Sequence, residues 1–131
     1  MKIAIIGISK ITDYVIDKII NHSEDISVYT EIRDFNFENK NLNKNIKIIT
    51  NMELEENIEK ISNSSDIVFL LSESDPFNSF SYQKIIINEP NKKVVMLIND
   101  NEIYNIYKEK KYSVISPFDL EQNDFSYLVK E

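Results

Sequence analysis

The stretch Lys2-Ile3-Ala4-Ile5-Ile6-Gly7-Ile8-Ser9-Lys10-Ile11-Thr12 decides the fold. From Lys2 to Gly7 it is a nearly unbroken apolar run closed by a turn residue, the pattern of a strand buried on both faces of a parallel sheet. Directly after it, from Ser9 to Asn21, Ile11, Val15, Ile16, Ile19 and Ile20 recur at helical spacing, while Asp13, Asp17 and Lys18 fall on the other side. Strand, tight turn and amphipathic helix in immediate succession open a βαβ unit. Gly7 is the only glycine in the chain.

The same rhythm continues downstream. Ile26 to Tyr29 and Ile46 to Ile49 are short β-branched runs, and the Asn-rich segment 31–45 between them predicts a ragged helix or loop. Thr50 and Glu53 have the spacing of a capping box, which predicts a helix from there to about Ser62 with Leu54, Ile58 and Ile61 as its apolar stripe. Asp66 to Leu71 predicts a strand. Ser74-Asp75-Pro76 predicts the start of a helix that Pro90 stops. Lys93 to Ile98, Asp100 to Lys110 and Tyr112 to Ile115 then give strand, helix and strand. The expected fold is α/β, a Rossmann-like doubly wound parallel sheet of about six strands with helices on both faces, spanning residues 1–116. Residues 117–131 form a tail beginning at Pro117.

Composition narrows the function classes. A chain of 131 residues suits one domain. No apolar run approaches the roughly 18 residues of a membrane span, and no signal peptide precedes the first strand, so a cytoplasmic protein without direct membrane insertion is expected. Without cysteine there is no disulfide, thiolate nucleophile or Cys-based zinc site, and the single His22 suits a helix C-terminus better than a metal cluster. A formal net charge of −7 argues against a nucleic-acid partner.

Four segments carry a resemblance. They are the first strand with its loop, Ser65-Asp66-Ile67-Val68 leading to Leu71-Ser72-Glu73-Ser74-Asp75-Pro76-Phe77-Asn78, then Lys93 to Asp100, and Val114-Ile115-Ser116-Pro117. In this order and spacing the chain resembles the N-terminal domain of the RCK family (TrkA-N), cytoplasmic regulators of potassium channels and transporters. The resemblance implies a regulatory, non-enzymatic module, a homodimer, and a potassium transporter or channel subunit as partner. It implies binding of NAD(H) or an adenine nucleotide across the carboxyl ends of the strands.

Carried over residue by residue, the phosphate loop asks for glycine at Gly7, Ser9 and Thr12, of which only the first is present, with Lys10 beside it. Thr12 in the third position is expected to lift its helix from the sheet. The acid that would hold ribose hydroxyls falls on Thr30, with Glu31 next to it. Ser72 keeps a hydroxyl after the fourth strand, Asp75 and Asn78 are retained, and Leu97 stands where arginine is expected. The expectation is nucleotide binding that is weakened or altered. In the tail, Phe118, Leu120, Phe125, Tyr127, Leu128 and Val129 would contact a partner subunit or fold back.

Two alternatives stand beside this one. One is an adaptor of the same fold that binds no nucleotide. The other is a small NAD(P)-dependent oxidoreductase, for which Tyr14 with Lys18, or Tyr104 with Lys108, would have to supply a proton donor.

Overall fold

Residues 1–20, 25–32 and 46–118 are described by a computed structural model. Their elements alternate as β1 (Lys2–Ile6), α1 (Thr12–Ile19), β2 (Asp25–Tyr29), β3 (Ile46–Ile49), α2 (Leu54–Asn63), β4 (Ile67–Leu70), α3 (Asp75–Asn88), β5 (Lys93–Leu97), α4 (Asn101–Glu109) and β6 (Val114–Ile115). All the strand pairings are parallel, in the order β3-β2-β1-β4-β5-β6. The chain winds outward from β1 to β3, crosses back, and winds the other way from β4 to β6. It is the Rossmann-like α/β sheet expected from the sequence.

Alternation along each strand divides the core into two layers. Ile3 and Ile5 of β1 join Ile26, Val28, Ile67 and Phe69 beneath Val15, Ile16 and Ile19 of α1. Ala4 and Ile6 point the opposite way, with Val68 and Leu70, toward Ile58 of α2, Tyr82 of α3 and Tyr104 of α4. Burial on both faces explains why β1, β4 and β5 are written as apolar runs without polar alternation. No helix among the described residues is long and apolar enough to cross a membrane.

Two local expectations are corrected. Thr12 does not lift α1: it is 2 % exposed, and Val15, Ile16 and Ile19 behind it are buried against the sheet. The Thr50–Glu53 capping box does not form either. Asn51 takes a left-handed φ of 56°, and the Met52 N–H returns to the Thr30 carbonyl at 3.2 Å. The chain therefore tracks the end of β2 before it can coil, and α2 begins at Leu54 with no side-chain cap from Glu53. The cap expected at Ser74 forms, its Oγ accepting from the Phe77 N–H at 3.2 Å, and Asp100 Oδ1 caps α4 by accepting from the Ile103 N–H at 3.0 Å. His22, most of the Asn-rich segment and the tail beyond Phe118 lie outside the described residues.

Candidate functional site

The strand order reverses between β1 and β4, and in an open parallel sheet the loops at the carboxyl ends part at such a point and leave a crevice. A cleft of about 500 Å³ lies there. Gly7, Ser9, Lys10, Thr30, Glu31 and Ser72, six residues singled out from the sequence, line it together with Ile8, Ile32, Leu54 and Glu73. Asp75, the seventh, is not among its lining residues. Ile32, Leu54 and Glu73 were missed by sequence reasoning. Leu54 read as core stripe, and only adjacency to Glu31 and Ser72 pointed to the other two.

Gly7 has φ +82°, a conformation that L side chains rarely adopt, and its N–H is bonded to the Tyr29 carbonyl at 2.9 Å. A Cβ added to it would lie 2.7 Å from the Cβ of Ser72. The glycine thus allows the β1 and β4 loops to meet, a requirement of the fold that exists without any ligand.

Beyond Gly7 the loop satisfies part of its own hydrogen bonding. The Ser9 N–H donates to Thr12 Oγ1 at 2.9 Å, the Thr12 N–H donates to the Ser9 carbonyl at 3.2 Å, and the Ile11 N–H makes a longer 3.4 Å bond to Ser9 Oγ. In a glycine-rich phosphate loop such donors face the pyrophosphate. Here a buried threonine hydroxyl takes the Ser9 donor, and only the Ile8 and Lys10 N–H groups are without an acceptor among the described residues.

At the end of β2, Thr30 is buried and its hydroxyl accepts from the Ile32 N–H at 3.1 Å, which ties it into the turn. Glu31 is exposed and lines the cleft. One of its oxygens accepts from the Leu54 N–H at 3.3 Å, capping α2 from another element and fixing the carboxylate at the cleft mouth. Both neighbours line the cleft, but Thr30 is buried and Glu31 is the exposed one.

Asp75 and Asn78 join the loops after β4 and β5. Asp75 Oδ1 accepts from the Asn99 N–H at 2.7 Å, and Oδ2 accepts from the Asp100 N–H at 2.9 Å. Asn78 is fully buried, accepts from the Ser72 N–H at 3.2 Å, and donates to the carbonyls of Ser72 at 2.7 Å and Leu97 at 2.9 Å. Ser72 Oγ accepts from the Ser74 N–H at 3.1 Å. Leu97, where an arginine was expected, is buried in the core.

The cleft is acidic. Glu31 and Glu73 outnumber Lys10 on its walls, and Glu31 also borders a second hollow of about 410 Å³ carrying Glu53, Glu55 and Glu56. The carboxyl of Glu53 is held above its ordinary range, first by a hydrogen bond shared with Glu56 and then by the charges of Glu56 and Glu31. A larger hollow, about 760 Å³, lies at the amino ends of β1, β4 and β5, away from the reversal point. Its charges are engaged with protein: Lys92 Nζ pairs with Glu89 at 2.9 Å and bonds the Ser65 carbonyl, and Asp66 Oδ2 accepts from the Lys2 N–H at 2.7 Å.

The Tyr–Lys pairs are contacts along their own helices, and none of the four residues lines the cleft. Lys18 Nζ lies 5.3 Å from the Tyr14 ring centroid, and Lys108 Nζ lies 5.6 Å from that of the buried Tyr104. Comparison with known protein families and with characterised proteins finds no match to this chain.

Proposed function

We propose that this chain is a non-catalytic regulatory module of the RCK/TrkA-N kind, which senses a small nucleoside-containing molecule in the cleft at the strand reversal. The convergence of six residues, chosen from the sequence for that role, around one cleft carries this reading. The volume of about 500 Å³ lies within the range of small-ligand sites. An altered hold on phosphate follows from the Ser9 donor being taken by Thr12. Binding without catalysis is favoured because the Tyr–Lys pairs are stacked on helix faces and offer no proton donor to the cleft. Association as a homodimer with a potassium transporter or channel in the cytoplasm is part of the same proposal and rests on the four sequence segments.

The adaptor reading has its own support. Phe80 and Ile87 project from α3 at 53 % and 76 % exposure, as a surface made for protein contact would. Thermal denaturation with NAD⁺, NADH, NADP⁺, ATP, ADP, AMP, adenosine and a cyclic dinucleotide separates the two. A ligand at about 100 times its Kd adds roughly 2.7 kcal/mol, a rise of several degrees in Tm. A rise with any one supports the sensor. No rise at millimolar concentration leaves the adaptor.

A further inference from the structure

Resting on that reading, we infer that the cleft takes an uncharged ribonucleoside and discriminates against its phosphorylated forms. Three features of the walls point to this ligand.

The first is the donor lost to phosphate. Ser9 N–H, which would face a pyrophosphate, is held by Thr12 Oγ1 at 2.9 Å inside the loop. What remains for an anion is the Ile8 and Lys10 N–H groups and the side chain of Lys10, which is exposed and strongly hydrated.

The second is the charge around the mouth. Glu31 and Glu73 flank the loop, and Glu53, Glu55 and Glu56 stand across the neighbouring hollow. A phosphate brought to Ser9 and Lys10 enters a negative field, whereas a neutral nucleoside does not. A vicinal diol gains from the same charge, because a carboxylate accepts from both hydroxyls in strong, directional bonds. Glu31 is held for this by its bond to the Leu54 N–H, which occupies one oxygen and leaves the second without a partner among the described residues.

The third is an apolar wall open to solvent. Ile32 is 51 % exposed at the rim, with Ile8 and Leu54 lining the same cleft. A flat ring lying against these side chains would remove that surface from water.

The test is calorimetric titration of the full chain with adenosine, 2′-deoxyadenosine, AMP, ADP and NAD⁺. Adenosine should bind, 2′-deoxyadenosine more weakly, and AMP about tenfold more weakly than adenosine. Raising salt to about 1 M, where the screening length falls to about 3 Å, should narrow the gap between adenosine and AMP. Glu31→Gln keeps an acceptor for the Leu54 N–H, so it should lower adenosine affinity about tenfold with little change in the Tm of the free protein. Glu73→Gln, which removes one negative charge from the cleft wall, should raise AMP affinity relative to that of adenosine. Thr12→Gly, confirmed as folded by circular dichroism, should raise it further by releasing the Ser9 donor. Tighter binding of AMP, ADP or NAD⁺ than of adenosine would overturn the inference and leave the sensor reading standing. Binding of none of the five overturns this inference, and the sensor reading fails separately if the wider thermal panel also shows no rise.

Discussion

Gly7 and Ser72 touch across the strand reversal so closely that one methylene does not fit between them. A Cβ on Gly7 would sit 2.7 Å from Ser72 Cβ and 2.8 Å from the Ser72 backbone nitrogen. The only glycine of the chain is therefore held by the meeting of two loops and by its own φ of +82°.

Gly7→Ala should destabilise the protein by about 3 kcal/mol, combining the left-handed backbone with an overpacked contact. The Tm should fall by more than 10 °C with no ligand present. A drop of only a degree or two would mean that the two loops separate easily and that Gly7 is not needed for the fold.

Asn78 closes the same region from α3 by bonding the Ser72 N–H and the carbonyls of Ser72 and Leu97. Asn78→Ala takes the partner from the buried Leu97 carbonyl and from the part-buried N–H and carbonyl of Ser72, and should cost about 3 kcal/mol. Asn78→Asp should cost more at neutral pH, since a carboxylate would face two carbonyl oxygens. Acidification to about pH 4 should recover part of that difference, because a protonated carboxyl can donate once. Urea unfolding of both variants at the two pH values checks the order.

What the sequence disclosed was whatever burial writes into it. Strands β1, β4 and β5 are apolar because both faces are covered, and Ser74 and Asp100 cap the helices that they were expected to start. What it hid was a long-range partner replacing a local one. The cap at Leu54 comes from Glu31, 23 residues away, so the local Thr50–Glu53 pattern misleads. Thr12 misled for a different reason: the resemblance asked for glycine at its position, yet its hydroxyl accepts from the Ser9 N–H three residues back and closes the loop on itself. The cleft's residue types were legible, but its acidity was not, because Glu31, Glu73 and the α2 glutamates meet only in three dimensions.

Helix α4 ends in a Schellman turn built on the wrong residue for its backbone. The Tyr112 N–H donates to the Tyr107 carbonyl at 3.1 Å, the Lys111 N–H donates to the Lys108 carbonyl at 3.0 Å, and the two tyrosine rings pack at 5.4 Å. Lys111, between them, has φ 63°. Glycine is free of the steric penalty there, so Lys111→Gly should stabilise the protein by about 1 kcal/mol and raise Tm by a few degrees. A destabilised variant would show that the lysine side chain contributes more than its backbone strain costs.

The raised carboxyl of Glu53 makes the α2 start sensitive to pH, and the sign follows from which state holds the proton. Glu56 shares a hydrogen bond with Glu53 and repels its charge, with Glu31 adding to the repulsion. The folded chain therefore binds this proton more tightly than the unfolded chain, whose value is near 4.5. The stabilisation is fully present below that value and is lost as pH rises through the higher folded value. Because the group is exposed, the effect on overall stability is small. Glu56→Gln should return the Glu53 titration toward its ordinary range in a carboxyl-detected NMR experiment. It should also raise Tm slightly at pH 7 and give no advantage at pH 4. An unchanged Glu53 titration in that variant would show that Glu56 is not the cause, leaving desolvation and the charge of Glu31, the latter tested next by Glu31→Gln.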